Sequence, residues 1–270
     1  MNGILNVYKE KSYTSHDVVA KLRGIFKQKK IGHTGTLDPD AEGVLPVCLG
    51  NATKLCDMLT DRSKEYECVM LLGRTTDTQD ISGKLLFEDD SWIELPDKEI
   101  TDAINSFRGE YEQLPPMYSA IKVEGKKLYE LAREGKTAKR DTRTVVIDDI
   151  EIQDISLPRV RMRVSCSKGT YIRTLCNDIG ERLSCGACME ALIRTRSGSF
   201  RLSDALKLSQ IEDAVRLGSI EDFIIPVEDM FPGHESVRTL AEADSLLLNG
   251  NKLCGKDVEK CPNNSCYVKI

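Results

Sequence analysis

Gly32-His33-Thr34-Gly35-Thr36-Leu37-Asp38-Pro39-Asp40-Ala41-Glu42-Gly43-Val44-Leu45-Pro46 is the stretch from which the rest of the chain is read. Gly32 and Gly35 permit tight turns or close backbone approach. Pro39 biases Asp38 toward an extended backbone, which limits where its carboxylate points. Gly43 and Pro46 punctuate the exit. The expectation is a structured loop over 32–50 presenting one carboxylate and one imidazole, that of His33. Loops held in this way often carry function. A surface turn with an aspartate making local hydrogen bonds is the plain alternative.

Working outward, Gly3 to Tyr8 reads as a short strand. Thr14-Ser15 offers an N-cap, followed by Val18, Val19, Leu22, Ile25 and Phe26 at helical spacing. Ala52 to Leu59 reads as a short helix. Tyr66, Cys68, Met70 and Leu72 alternate onto one face of a strand. Ile100 to Phe107 reads as helical, and Pro115-Pro116 interrupts regular structure. Ser119 to Val123, Glu124-Gly125 and Leu128 to Arg133 suggest strand, turn and helix. Strands are expected at 145–155 and 160–166. Thr170 is expected to cap a helix that buries Ile172, Leu175, Ile179 and Leu183. Strands and helices that do not strictly alternate indicate an α+β fold. A break falls near Pro226 to Gly233, and the tail beyond it is short for an independent domain.

The chain has 270 residues, of ordinary globular composition and net charge −5. It has no apolar run of membrane-spanning length. Its N-terminus lacks the pattern of a secretory signal, so a cytoplasmic home is expected. The charge is segregated. Lys21, Arg23, Lys27, Lys29 and Lys30 fall within ten residues without an acid, residues 122–143 carry eight basic and four acidic side chains, and residues 204–244 carry ten acids against three bases. A surface divided in this way can bind an anion in spite of the net charge. A solvated helical face is the alternative for each cluster. Ten cysteines raise the question of zinc. Cys185 and Cys188 form one CxxC, but Cys254, Cys261 and Cys266 lack the spacing of a second ligand pair. Reduced thiols and no metal are therefore expected.

The quoted stretch resembles the signature loop of TruB-type tRNA pseudouridine synthases, Gly-His-Thr-Gly-x-Leu-Asp-Pro. Further segments agree in order: Lys64-Glu65-Tyr66; Gly73-Arg74-Thr75-Thr76-Asp77-Thr78 with Gly83; Gln113-x-Pro115-Pro116-x-Tyr118-Ser119-Ala120-x-Lys122 with Gly125 and Tyr129; Gly169-Thr170-Tyr171-Ile172-Arg173; and Gly186-Ala187 leading to Leu192-x-Arg194-Thr195. The resemblance runs from about residue 3 to 205. There are departures. Glu10 follows Lys9 where the family usually has proline, Ser12 replaces a glycine, and Cys188 stands where histidine is common.

The resemblance implies a pseudouridine synthase fold with a mixed, mostly antiparallel sheet flanked by helices. It implies a catalytic domain over 1–230, an RNA-contacting insert at about 122–143, and a short, incomplete PUA-like segment over 231–270. The implied activity isomerises the uridine at position 55 in the T loop of tRNA without a cofactor. Asp38 is the implied nucleophile, Arg173 its charge partner, and Tyr66 the aromatic that stacks on the base and relays a proton. His33 is the implied wedge that fills the place of the flipped base. Tyr171, Leu192, Lys122 and Arg194 complete the implied substrate contacts. A monomer acting on the T stem-loop is expected. Two rivals stand beside this reading. One is a catalytically silent tRNA-binding or tRNA-folding protein of the same fold. The other is a metal-dependent hydrolase built on His33, Asp38 and Asp40.

Overall fold

A computed structural model describes residues 1–123, 125–232, 235–259 and 268–269 of the chain. In chain order its first elements are β1 (Gly3–Lys9), α1 (Ser15–Phe26), β2 (Ile31–His33), β3 (Glu42–Leu49), α2 (Cys56–Thr60), β4 (Lys64–Leu72), β5 (Arg74–Thr76) and β6 (Leu85–Glu88). Then come α3 (Asp97–Asn105), β7 (Gly109–Gln113), β8 (Lys122–Val123), β9 (Lys126–Lys127), α4 (Leu128–Arg133), β10 (Arg143–Ser156) and β11 (Arg159–Cys166). The rest are α5 (Ile172–Arg182), β12 (Ala187–Ser197), β13 (Phe200–Arg201), α6 (Leu208–Leu217), β14 (Ile224–Ile225), β15 (Glu235–Ser236), α7 (Asp244–Leu248) and β16 (Val268–Lys269).

Ten strands form one sheet in the order β14-β1-β3-β12-β4-β11-β10-β7, with β2 joined to β3 and β13 to β12. Every pairing in it is antiparallel except β3 with β12, where Glu42 and Gly43 lie opposite Ile193 and Arg194. This is the mixed, mostly antiparallel α+β arrangement that was expected.

Alternation explains the strands that were legible. Val160, Met162, Val164 and Cys166 of β11 join Tyr66, Cys68, Met70 and Leu72 of β4 in one core under α3 and α5, while Arg159, Arg161 and Arg163 point the other way. The 32–50 stretch corrects the expectation of a continuous loop, because it contains β2 and β3. Leu45, Val47 and Leu49 pack against Val18, Val19 and Leu22 of α1 and Ile211 of α6. Val44 and Cys48 pack against Ile4, Ala52 and Phe200 on the opposite face. A strand covered on both faces shows no alternation, so its sequence reads as apolar punctuation rather than as a strand.

Four further corrections are smaller. The 52–59 helix is a 3-10 turn over Gly50–Leu55 followed by α2. The helix expected at 100–107 is α3, shifted toward the N-terminus. The strand at 119–123 shrinks to Lys122–Val123, and its Glu124 turn residue lies outside the described residues. Thr170 does not cap α5: its hydroxyl donates to the Ser167 carbonyl (3.0 Å), and Tyr171 is the N-cap residue. The Thr14 cap of α1 does form, as a reciprocal pair with Asp17.

Candidate active site

The parallel seam sets the geometry of the site. Gly43, Arg194 and Tyr66 lie in one row across β3, β12 and β4. At Gly43, φ is +105° and a Cβ would stand 2.3 Å from the Arg194 carbonyl oxygen, so only glycine lets the two backbones meet there. Arg194 itself is buried, and its Nε donates to the Val44 carbonyl (2.7 Å). Its guanidinium thus lies inside the fold beneath the Asp38 loop. The Tyr66 phenol is buried next to it. Burial pushes its pKa up, the Arg194 guanidinium opposes that through charge and a hydrogen bond, and the Asp38 carboxylate adds to it.

Asp38 opens the turn that the quoted stretch makes before β3, its carbonyl accepting from the Ala41 N–H at 3.2 Å. Leu37 and Ala41 on either side are buried in the same core as Tyr66, Ile172 and Leu192, while the Asp38 side chain remains 38% exposed. Arg173 grips it with two hydrogen bonds, Nε to Oδ2 at 2.8 Å and Nη2 to Oδ1 at 3.1 Å. This fork-to-carboxylate pairing combines charge with fixed direction. The other Arg173 donors reach the Thr78 carbonyl (Nη1, 2.9 Å) and the Tyr118 carbonyl (Nη2, 2.9 Å). With 4% of its side chain exposed, this guanidinium joins three chain segments at one point.

The loop has further ties that the sequence did not disclose. Lys9, wholly buried, donates to the carbonyls of Glu10 (3.2 Å), Pro39 (3.0 Å) and Ala41 (2.6 Å). Burial lowers its pKa to about 8, against the pull of Asp38, Glu42 and Asp40. The Ser15 hydroxyl accepts from the Leu37 N–H at 2.9 Å, and the Ser12 N–H donates to the Pro39 carbonyl at 2.9 Å. Ser12 has φ +70°, so the residue that replaces the family's glycine holds a backbone conformation suited to glycine. A lysine between a strand and a turn reads as a surface residue. The one available signal was its place in the segment where the family opens.

The remaining expected residues divide. Tyr171 precedes Arg173 by two residues at the start of α5, and burial raises its phenol while the Ser119 hydroxyl opposes the rise. Leu192 is buried beside Tyr66. His33, on β2, has a buried Nδ1 without a hydrogen-bond partner among the described residues, and its ring stands edge-on to His16 at 6.5 Å. Burial first, then the nearby His16 and Arg194, lower its pKa, so it stays neutral at physiological pH. Lys122 stands apart from the cluster, exposed on β8. Among the described residues no three or more His, Cys, Asp or Glu side chains are grouped to hold a metal ion. Cys185 and Cys188 are both buried, and Cys261 and Cys266 lie outside the described residues. No helix among the described residues is long and apolar enough to cross a membrane.

This arrangement supplies a carboxylate held in one direction, a buried phenol and an apolar wall. Residues 23–172 match the family model for the N-terminal domain of TruB family pseudouridylate synthases, and residues 173–231 match that for the C-terminal domain of tRNA pseudouridylate synthase B. The join falls at the start of α5, yet the sheet takes β12 from one side of it and β3 and β4 from the other. The tRNA pseudouridine synthase B of Lachnoclostridium phytofermentans is 54% identical over 261 residues, covering 94% of this chain and 84% of that protein. The enzyme of that name from Clostridium acetobutylicum is 44% identical over 268 residues, covering 99% and 91%. Among solved structures, Cbf5 in a Cbf5-Nop10-Gar1 complex superposes with TM-score 0.73 at 31% identity, covering 95% of this chain and 69% of that one. An H/ACA RNP bound to a substrate RNA containing 2′-deoxyuridine gives TM-score 0.70 at 29% identity.

Proposed function

The chain belongs to the TruB family of pseudouridylate synthases, and on that premise we propose that it isomerises the uridine at position 55 in the T loop of tRNA. The supporting observation is the Arg173 fork on a carboxylate that is still partly exposed. In this reading the target nucleotide is flipped out of its stack into the space beside Asp38. Asp38 attacks as nucleophile, the C1′–N1 bond breaks, the base turns and C5 joins C1′; the bond to Asp38 then breaks to return the carboxylate, and the C5 proton leaves while N1 takes one up. Arg173 pairs with the carboxylate and aims it. Tyr66 and Leu192 hold the detached base, and the Tyr66 phenol relays a proton. His33, kept neutral by burial, occupies the vacated place in the RNA stack. Arg194 acts from inside the fold by fixing the loop and Tyr66. Residues 1–230 serve as the catalytic domain, 122–143 as the RNA-contacting insert, and the protein acts as a monomer.

The test uses a T stem-loop transcript with a label on C5 of its uridine. Wild-type protein should release the label. Asp38→Asn should abolish release while keeping RNA affinity within about tenfold, ~1.4 kcal/mol. Persistent turnover in that variant rejects Asp38 as the nucleophile. RNA binding by wild type without turnover favours the silent binder.

A further inference from the structure

We propose that Gln113 is a positioning residue for this reaction, acting on Arg173 through the first turn of α5; this rests on the function proposed above. Gln113 is the last residue of β7, the strand at one edge of the sheet. The end of an edge strand commonly turns to solvent, but Gln113 is 1% exposed. Its Oε1 accepts from the Tyr171 N–H (2.8 Å), and its Nε2 donates to the Tyr171 carbonyl (3.0 Å) and to the Tyr111 hydroxyl. The reciprocal pairing fixes the direction of the amide, because a flipped side chain would set N–H against N–H. The side chain therefore does for Tyr171 what a neighbouring strand would do.

Tyr171 is the N-cap of α5 and contributes no side-chain cap of its own. Arg173 follows two residues later. Its guanidinium has no slack, with four hydrogen bonds of 2.8 to 3.1 Å in three directions. Such a fork tolerates little displacement of its backbone before the two bonds to Asp38 lengthen or bend. Gln113 also begins the segment that carries Tyr118, with Pro115 and Pro116 stiffening the span between. The Tyr118 carbonyl accepts from Arg173. A closed ring results, from the Gln113 amide to Tyr171, along α5 to Arg173, across to Tyr118 and back through the two prolines. One buried amide thereby sets the distance between the two segments that meet at the Arg173 guanidinium, without itself touching substrate.

The experiment measures steady-state turnover of the T stem-loop transcript, corrected for the folded fraction by thermal melting. Gln113→Met should lower kcat about 10- to 100-fold, with KM within about threefold. In an Arg173→Lys background, which has no fork, the same change should lower kcat by less than about threefold further. Should Gln113→Met fail to fold, Gln113→Glu keeps the acceptor for the Tyr171 N–H, replaces the donor, and should show the same pattern. A kcat within threefold of an active wild type in these variants overturns the inference. Equal losses in both backgrounds, or a lowered melting point with unchanged kcat per folded molecule, also overturn it. A wild type that binds the transcript without turnover overturns the reaction and the inference with it.

Discussion

The Asp38 loop and the 122–143 stretch are opposites in how they are held. From Thr34 to Ala41 the loop has no helix or strand, yet Ser12, Ser15, Lys9 and Arg173 fix its backbone or its carboxylate. The 122–143 stretch has a hairpin and a helix, but its ties gather at the root. Leu128 N–H donates to the Ile121 carbonyl, Tyr129 N–H to the Ser119 carbonyl, and Arg140 to the Pro115 carbonyl. Six of its eight cations are exposed, and Lys127 and Arg133 flank the Tyr129 ring. Fixed geometry here follows from where polar groups find buried partners, and regular structure is no measure of it.

The comparison breaks most severely at Arg173. Arg173→Met leaves two carbonyls and a carboxylate, itself 38% exposed, without their donor, so urea denaturation should show a loss of about 2–3 kcal/mol along with lost turnover. A loss under about 1 kcal/mol would mean that the loop stands without the fork. Lys9 sharpens the same side through pH. Its pKa is about 8 in the folded protein against an ordinary 10.5, so between these values the unfolded chain binds more protons. Wild-type stability should therefore gain up to about 1.4 kcal/mol per pH unit from this group as pH rises through that window, and nothing from it below. Lys9→Met should remove the gain, read as the difference between the two proteins in urea at pH 8 and pH 10. Lys64, also lowered to about 8 by burial, contributes equally to both.

On the other side, Lys122→Ala should leave stability within about 0.5 kcal/mol. It should reduce the slope of log affinity for tRNA against log salt by about one. An unchanged slope would remove Lys122 from the RNA contact. The smallest effect belongs to Ser12→Gly. Relief of a left-handed serine, roughly 1 kcal/mol, is partly offset by the freedom glycine gains on unfolding, leaving a gain of about 0.5 kcal/mol in urea denaturation.

The α+β class and the strands at 66–72 and 160–166 were legible because one face of each is apolar and the other polar. β3 was not, because both of its faces are covered. β12 escaped notice for a related reason: Ala187, Cys188 and Met189 are all buried, and register shifts interrupt its pairing with β4. At the site, Asp38, Tyr66 and Arg173 were legible through motif resemblance alone, since a lone aspartate before a proline suits many turns. Lys9 and Gln113 were illegible as anchors, because lysine and glutamine are ordinarily surface residues and only the tertiary packing buries them. Arg194 was expected to contact substrate and is instead buried under the loop.

The Arg173 fork also imposes an order of events in time. Asp38 precedes Arg173 by 135 residues, Thr78 by 95 and Tyr118 by 55. On a ribosome the carboxylate, and both carbonyls that share the arginine with it, emerge well before their common partner. The growing chain therefore passes half its length with an unclamped carboxylate, and a competent enzyme arises late in synthesis, when α5 docks.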